Sequence, residues 1–229
     1  MTRHDITKTN HAVRQLIERT ENPRHRFLLM VHDRHRNLEM AGRYEEIFAP
    51  DMTVEQPVYH LRVNDMGVRL EGAEAVKSLY RMWAATNQSV FYTVTEQLAV
   101  ADNFVASTAV ACQQVSGRTL ASDKALSYLP RFLSRRLLRR TLARKNFKAS
   151  KTGMYLYKNV YHMIWPYDDR GRLLGEDIWE PEPDKAEITK LAPADVLTTQ
   201  EAGRLLAPLI KPLPSFEEMV LGKTKMPTA

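Results

Sequence analysis

The sequence lacks the features that mark secreted, disulfide-stabilised or membrane-spanning proteins. Its 229 residues include a single cysteine, Cys112, which excludes an internal disulfide framework and a cluster of thiolate zinc ligands. No stretch approaches the roughly 20 apolar residues that a membrane-spanning helix requires. The first ten residues are polar and lack the apolar run of a signal peptide. We therefore expect a cytoplasmic protein without a membrane span.

Motifs for metals, phosphates and nucleophilic catalysis are also missing. The nine glycines are scattered, and none forms a phosphate-binding loop. The seven histidines do not form a set of metal ligands, and no Gly-x-Ser-x-Gly sequence is present. We therefore expect no metal and no cofactor, so any chemistry must come from ordinary polar side chains.

The first half of the chain shows mainly helical patterns. Residues 10–41 predict helix with a break at "ENPRH", where Asn22 is a plausible cap before Pro23. "RYEEIFA" predicts a short helix, and "TVEQPV" predicts a short strand halted by Pro57. "AEAVKSLYRMWAATN" has apolar residues at spacings of three, four and seven, which predicts an amphipathic helix.

From residue 89 the hydrophobic period changes to two, which predicts strands. "SVFYTVTEQLAVAD" and "NFVASTAVACQQVSG" meet at a turn, and "MYLYKNVYHMIWPY" and "LLGEDIWEP" flank "DDRG". Helices followed by antiparallel strands predict an α+β fold with helices on one face of a curved sheet. We expect one domain over residues 1–180 and a Pro-rich extension over 181–229, which straps the surface or a partner subunit.

The basic residues are concentrated in an insertion between the third and fourth predicted strands, with "TVEQPV" counted as the first. Residues 118–151 hold eleven Lys and Arg against one acid, a net charge of +10, so the rest of the chain carries −4 of the total +6. The apolar residues of the insertion are distributed around a helix instead of forming one stripe, and its aromatic residues do not follow the interleaved pattern of single-strand-binding proteins. A lid or subunit contact fits best; an anionic membrane surface and an acidic or nucleic-acid partner stay open, although we expect no nucleic acid.

Three stretches carry a family resemblance: "GRYEEIFAPDMTVEQP", "GVRLEGAEAVKSLYRMW" and "YDDRGRLLGEDIWE". Over residues 25–117 and 152–181 the chain resembles the nuclear transport factor 2-like superfamily, which includes SnoaL-like cyclases, scytalone dehydratase and ketosteroid isomerase. The resemblance implies a cone-shaped α+β barrel, in which a curved antiparallel sheet carries the N-terminal helices on its concave face around a deep apolar pocket. Enzymes of this kind usually use no cofactor and perform acid–base chemistry on bulky, often aromatic, small molecules.

The alternation of side chains along a strand divides the acidic residues of the last predicted strand between its two faces. Glu176, Ile178 and Glu180 share one face, while Asp177 and Trp179 share the other. The match to the isomerase-like pattern puts the first set inward. A carboxylate in an apolar pocket has a raised pKa, which suits a general acid or base near neutral pH.

The resemblance also gives roles to His32 and Gln56, which lie 24 residues apart. In ketosteroid isomerase-like sequences this spacing separates the oxyanion-stabilising tyrosine from the base, so His32 takes a pocket position as acid or base. Gln56 falls where those relatives carry their catalytic aspartate. An amide cannot take a proton from carbon, which argues against steroid-isomerase chemistry and leaves a buried Gln56 as a hydrogen-bonding clamp.

These arguments give a complete set of candidate residues. The catalytic candidates are His32, Glu176 and Glu180. The candidates for substrate contact are Gln56, Tyr59, Tyr80, Trp83, Asn159 and Tyr161. We expect Tyr59, His60 and Arg62 on a loop over the pocket mouth, and we expect the third strand to line the pocket with Thr108, Val110, Cys112 and Gln114.

The function that follows from the resemblance is a cofactor-independent acid–base lyase in the breakdown of aromatic compounds. Its reaction would be a dehydration or a retro-aldol-type carbon–carbon cleavage, for example the release of formaldehyde from a diarylpropane diol. The substrate would be a bulky, hydrophobic, aromatic small molecule, and the protein a homodimer or higher homo-oligomer. An isomerase or epoxide hydrolase in the same pocket, and a non-catalytic ligand-binding or assembly module, are the alternatives.

Overall fold

The N-terminal part of the molecule is helical. The computed structural model describes residues 4–63, 66–121 and 149–222. Its first elements are a 3-10 turn at Ile6–Lys8, α1 at His11–Arg19, α2 at Pro23–Met40 and a second 3-10 turn at Tyr44–Phe48. The Asn22 side chain caps α2 by accepting hydrogen bonds from the backbone N–H groups of Arg24 and His25, at 2.9 and 3.2 Å.

The remaining elements form a sheet, a third long helix and a C-terminal tail. The strands are β1 Thr53–Val63, β2 Met66–Glu71, β3 Phe91–Ala101, β4 Phe104–Ser116, β5 Met154–Pro166, β6 Leu173–Trp179 and β7 Glu187–Lys190. The helices are α3 Ala73–Ala85, α4 Gly117–Ala121, α5 Thr199–Leu206 and α6 Phe216–Met219. Short 3-10 turns occupy Pro183–Lys185, Pro193–Asp195 and Ala207–Leu209.

The sheet is curved, mixed and unclosed. Its order is β2-β1-β6-β5-β4-β3, with β7 paired to β5. The pairs are antiparallel except for β1 and β6, which are parallel. The predicted α+β fold, with helices packed on a curved sheet, is confirmed. The sheet differs from the expected antiparallel barrel because helix α3 carries the chain from β2 at one edge of the sheet to β3 at the other edge. The following strands lead back across the sheet, and β6 pairs with β1 in the parallel direction.

The main hydrophobic core lies between α2 and the concave face of the sheet. It joins apolar residues of α2 to inward residues of β1, β4, β5 and α3, including Leu28, Val31, Tyr59, Val76, Val105 and Trp165. A smaller cluster around Tyr157, Tyr161 and Ala186 lies toward the other end of β5. The two clusters share Met163, which is only partly buried.

The sequence predicts that strand β1 stops at Pro57, but the strand continues to Val63. The register of β1 on β6 shifts between Thr53 and Val58, so a bulge accommodates the proline. Opposite the bulge, Gly175 has a φ of 154°, and a Cβ there would collide with the carbonyl of Val58. The local proline signal is therefore overridden by pairing with a strand that lies far away in the sequence.

The C-terminal tail packs on its own chain. Strand β7 extends the sheet beside β5, and α5 lies against the end of α2. The approach is close because position 203 is glycine: a Cβ on Gly203 would lie 3.1 Å from the carbonyl oxygen of Ala41. Leu197, Ala202 and Leu206 are buried with Met40 in one cluster.

Two sequence features need separate mention. Most of the basic insertion, residues 122–148, lies outside the described residues, and so do the predictions of a lid, subunit contact or charged surface that concern it. In the described part of the chain, no helix is both long and apolar enough to cross a membrane.

Candidate functional site

Three large side chains form a row across the concave face, which we call the deep row: Tyr59 of β1, Glu176 of β6 and Trp165 of β5. Tyr59 and Glu176 are partners in the parallel pair. The register of Ile164 with Asp177 makes Trp165 and Glu176 the next cross-strand neighbours. All three are buried, and Glu176 retains only 7% of its surface. The prediction that Glu176 and Glu180 point inward, with Asp177 and Trp179 outward, is confirmed.

Helix α2 packs over this row with four polar residues on one face, which we call the polar stripe. His32, His35, Arg36 and Glu39 recur at spacings of three, four and seven, so they share one face of the helix. The centroid of the His32 ring lies 4.2 Å from that of Trp165. The Nε2 atom of His35 lies 3.1 Å from the hydroxyl of Tyr80, which belongs to α3.

Arg36 of the polar stripe is fully engaged with β3. Its guanidinium donates to both carboxylate oxygens of Glu96, at 2.8 and 3.0 Å, and to the hydroxyl of Thr93 at 2.8 Å. The side chains of Arg36 and Glu96 are only 5% and 1% exposed. The positive charge of Arg36 nevertheless acts on the other titratable groups of the interior.

Several buried polar atoms around the deep row have no partner. Within the described residues these are both ring nitrogens of His32, Nδ1 of His35 and the hydroxyl of Tyr167. A buried polar group without a hydrogen bond costs about 1–3 kcal/mol, so such groups are rarely left together in a purely structural core. Their clustering is the arrangement that a hydrogen-bonding ligand would satisfy.

Burial changes the protonation of this interior. It raises the pKa of Glu176 to about 7, against the opposing effects of the Arg36 charge and the nearby Trp165 indole N–H. Burial, with the negative charge of Glu176 as a second cause, raises the pKa of Glu39 well above its ordinary value. Burial also lowers the pKa of His32 well below its usual range and that of His35 to about 3. Near neutral pH, therefore, both imidazoles are neutral and Glu176 is partly ionised, and the raised pKa of Glu39 favours its protonated form.

Glu39 is the residue that sequence reasoning missed. It keeps some accessible surface, yet burial is the largest cause that raises its pKa. This combination is expected of a side chain that faces an internal space. The helical spacing from His32 to Glu39 was the available signal, because the two residues are seven positions apart on one face.

A second polar group, which we call the outer cluster, comprises Tyr157, Asn159, Tyr161 and Glu180. Glu180 is 3% exposed and accepts hydrogen bonds from the Tyr157 hydroxyl at 2.7 Å and from the Asn159 amide. The same amide donates to the backbone carbonyl of Glu182 at 3.0 Å. Tyr161 follows on the same face of β5. The structure thus places Glu180 with Asn159 and Tyr161, and His32 with Glu176.

An apolar belt separates the deep row from the outer cluster. It consists of Leu61, Met163 and Ile178, which are register partners across β1, β6 and β5. All three face inward yet remain only partly buried. Each of the three side chains therefore keeps part of its surface accessible to solvent.

The two predicted substrate contacts on α3 lie beside the deep row. Tyr80 is buried, and its ring centroid is 6.3 Å from that of Tyr59. Trp83 is partly buried, with its ring 5.9 Å from that of Tyr80. Burial raises the pKa of both tyrosines, so they remain neutral hydrogen-bonding groups.

Other expectations about the pocket lining are wrong. Gln56 is exposed, not buried, because the bulge at Pro57 reverses the alternation of β1; its side chain lies beside Gly72. The segment containing Tyr59, His60 and Arg62 is strand, not loop, with Tyr59 inward. His60 faces outward, 2.7 Å from Asp177.

The inward face of β4 also differs from the prediction. Val105, Ser107 and Ala109 face the interior and are buried. Thr108 is exposed and hydrogen-bonded to His162 on the outer face, while Gln114 is buried against the tail by bonds to Leu197. The expectation that Thr108, Val110, Cys112 and Gln114 line the pocket fails because the choice of face cannot be read from alternation alone.

The described surface carries cavities elsewhere. One of about 460 Å³ lies between the tail and the β5–β6 turn, and one of about 280 Å³ lies on the outer face beside Tyr92 and Cys112. Neither is lined by members of the deep row, the polar stripe or the outer cluster. Among the described residues, no group of three His, Cys, Asp or Glu side chains is placed to hold a metal ion.

The order of elements and the position of the buried polar residues can now be compared with known proteins. No protein-family model matches the sequence, and no curated protein is significantly similar to it. Two solved structures are similar in fold at low TM-scores. One is a phenazine biosynthesis-related protein of Pseudomonas aeruginosa, with 12% identity, 66% of this chain and 82% of that chain covered, and a TM-score of 0.37. The other is an NTF2-like protein of Anabaena variabilis, with 11% identity, 63% and 89% covered, and a TM-score of 0.33.

Proposed function

We propose that the protein is a cofactor-independent acid–base lyase that acts on a bulky, hydrophobic, aromatic small molecule bound beside the polar stripe and the deep row. The observation that carries this proposal is Glu176: a buried carboxyl with a pKa of about 7, among polar groups without partners. A group that titrates near neutral pH can both take and return a proton at physiological pH. A purely structural carboxyl would gain nothing from such a position.

The surrounding groups suit a lyase step. Ionised Glu176 takes a proton from the substrate, and protonated Glu39 supplies one to the leaving hydroxyl in a dehydration. In the retro-aldol alternative, Glu176 takes the hydroxyl proton, the carbon–carbon bond breaks with release of an aldehyde such as formaldehyde, and the resulting carbanion takes that proton back from the Glu176 carboxyl. The hydroxyls of Tyr59 and Tyr167 can donate hydrogen bonds to negative charge that develops on oxygen.

His32 has a narrower role in this scheme than the sequence predicted. Since burial lowers its pKa, His32 is neutral and is not the stored source of a proton. It can still accept or donate a hydrogen bond through its two unpartnered nitrogens. In this proposal, two carboxyls whose pKa values are both raised, Glu176 and Glu39, replace the predicted pair of histidine and glutamate.

The test is turnover of a panel of aromatic diols, including a diarylpropane diol, followed by mass spectrometry. We expect Glu176→Gln to lower kcat about 10²–10⁴-fold, the range for loss of a general acid or base, with substrate binding retained. For the wild type, kcat/KM should rise with pH through about 7 as Glu176 ionises.

Asp177→Asn is the matched control, because Asp177 lies on the outer face of the same strand and pairs with His60. Its kcat should equal that of the wild type. Full activity of Glu176→Gln would overturn the assignment. Tight binding of aromatic ligands without conversion of any of them would favour the non-catalytic ligand-binding module.

A further inference from the structure

The cavity of about 460 Å³ between the C-terminal tail and the β5–β6 turn has no part in the proposed lyase reaction. None of its lining residues belongs to the deep row, the polar stripe or the outer cluster. Ligand pockets usually have volumes of about 300–1,000 Å³, so this cavity is large enough for a small molecule. An apolar surface and charged side chains of both signs line it, and together they indicate the kind of molecule that it can bind.

The apolar part of the lining, which we call the apolar wall, consists of Phe27, Leu213 and Phe216. The rings of Phe27 and Phe216 meet edge-on, with their centroids 5.2 Å apart. Gly171 of the β5–β6 turn lies against both rings, because a Cβ at this position would come within 2.7 Å of Phe27 and 3.2 Å of Phe216. A large apolar group of a ligand can pack against this wall.

The turn that supplies two arginines to the cavity is held in place by hydrogen bonds. The Asp168 carboxylate accepts from the backbone N–H groups of Arg170 and Arg172, at 2.9 and 2.8 Å. Arg24 donates to the backbone carbonyls of Asp168 and Asp169, at 2.9 and 2.8 Å. The backbone of the turn is therefore fixed before a ligand binds, which lowers the entropic cost of binding.

Asp51 and Arg172 line the cavity with opposite charges that do not pair with each other. The backbone N–H of Leu173 donates to the carbonyl of Met52 at 2.7 Å. The residues that precede this pair, Asp51 and Arg172, therefore lie alongside each other. The Asp51 side chain has no hydrogen bond or ion pair in the described part of the chain. Arg172 binds Asp168 through Nε and Nη2, at 2.9 and 2.8 Å, and its Nη1 has no partner among the described residues.

The other charged residues of the lining do not supply the missing partners. Arg170 and Glu217 pair with each other, with nitrogen and oxygen 3.4 Å apart. Glu218 adds one further negative charge. The lining thus carries three carboxylates against two guanidinium groups, so a ligand that brings only negative charge is disfavoured.

An α-amino acid has the two charged groups that this pair of residues lacks. Its ammonium can bind Asp51 and its carboxylate can bind Arg172, both through charge-assisted hydrogen bonds. The two groups are attached to one carbon atom, so they lie side by side, as Asp51 and Arg172 do. The side chain on the same carbon atom can then extend over the apolar wall.

We propose that this cavity is a binding site for a free α-amino acid with a large apolar side chain. Asp51 binds the ammonium, Arg172 binds the carboxylate, and the apolar wall holds the side chain. The inference does not depend on the proposed function, because the cavity and the lyase site share no residue.

Calorimetric titration tests the site with L-phenylalanine and two derivatives that each lack one charge. Phenylalaninamide keeps the ammonium and lacks the carboxylate, whereas N-acetylphenylalanine keeps the carboxylate and lacks the ammonium. We expect each derivative to bind about tenfold more weakly than L-phenylalanine, since each loses a charge-assisted hydrogen bond. Glycine, which has no side chain to pack on the apolar wall, should also bind more weakly.

Asp51→Asn removes the charge that binds the ammonium and keeps the size of the side chain. Because Asp51 is exposed and has no partner, the variant should fold like the wild type. It should bind L-phenylalanine and phenylalaninamide about tenfold more weakly, and its affinity for N-acetylphenylalanine should not fall. Asp169→Asn is the matched control, because it makes the same charge change at an exposed residue of the β5–β6 turn that does not line the cavity. Its Kd values should equal those of the wild type.

Three results would overturn the proposed site. They are an absence of saturable binding of L-phenylalanine, equal Kd values for L-phenylalanine and its two derivatives, and a Kd for L-phenylalanine in Asp51→Asn equal to that of Asp169→Asn. Binding that depends on Asp51 would support the site even if no aromatic diol were turned over, so the inference and the proposed function are tested separately.

Discussion

At the scale of single residues, the interior carboxyls make the folded state sensitive to pH. The folded protein holds a proton on Glu176 up to a pKa of about 7, whereas an unfolded chain loses it near 4.5. Between these values the folded state binds more protons than the unfolded state. The contribution of Glu176 to the free energy of unfolding therefore falls as the pH rises from about 4.5 to about 7, and the raised pKa of Glu39 acts in the same direction. The lowered pKa values of His32 and His35 act in the opposite direction, because these imidazoles gain protons on unfolding below about pH 6.5.

The loss of stability that Glu176 causes as the pH rises predicts how Glu176→Gln should behave. The variant should be about as stable as the wild type at pH 4.5 and more stable at pH 8, by on the order of 3 kcal/mol, since each unit of pKa shift corresponds to about 1.4 kcal/mol. Urea unfolding at a series of pH values would measure the difference. If the variant instead lost stability relative to the wild type as the pH rises, this would contradict a buried Glu176 carboxyl with a raised pKa.

At the scale of secondary-structure elements, the pair of Arg36 and Glu96 fixes α2 on β3. Both side chains are almost completely buried, and the guanidinium also binds Thr93. Removing one partner of a buried pair leaves the other charge without compensation in an apolar interior. The orientation of the polar stripe over the deep row thus depends on a contact about one helical turn from His32.

Arg36→Met should lower the free energy of unfolding by about 3–5 kcal/mol, the usual cost of an unpaired buried charge. The double variant Arg36→Met with Glu96→Leu should regain part of that loss, because neither charge is then left alone. Denaturant unfolding of the two variants beside the wild type would measure this. Equal destabilisation by the single and double variants would show that the pair does not act as a unit.

The elements that the sequence predicts are those with local signals. Helix α2 follows from Asn22 and Pro23, and the β3–β4 hairpin follows from the alternation on either side of its turn. The continuation of β1 through Pro57 and the outward position of Gln56 depend on pairing with β6, which no local pattern reveals. The inward pair of Glu176 and Glu180 was predictable from alternation, whereas their assignment to two separate clusters needed the partners on β1 and β5.

At the scale of the whole molecule, the C-terminal tail completes the core. Leu197 and Leu206 join Met40 and Cys112 in one buried cluster, and Phe216 packs edge-on against Phe27 of α2 with ring centroids 5.2 Å apart. The tail therefore packs against α2 both near its start, at Phe27, and at its end, at Met40. Since α2 carries the polar stripe, loss of the tail would release the helix that positions half of the site.

A chain that ends at Lys190 should lose most of its cooperative unfolding transition. Each large apolar side chain removed from the core costs about 1.5–3 kcal/mol, and several are lost together from a protein that is stable by about 5–15 kcal/mol. Thermal unfolding followed by circular dichroism is the measurement, with a chain that ends at Gly222 as the control. An unchanged melting temperature for the shorter chain would contradict this role of the tail.

The parallel pairing of β1 with β6 has a consequence for how the protein is synthesised. Thr53 pairs with Leu173, 120 positions later, so the inner edge of β1 stays unpaired while most of the chain is being translated. An exposed strand edge on a nascent chain can pair with other chains. The interior that holds Tyr59 against Glu176 is thus among the last parts to form, and a chaperone bound during translation would protect this edge until β6 leaves the ribosome.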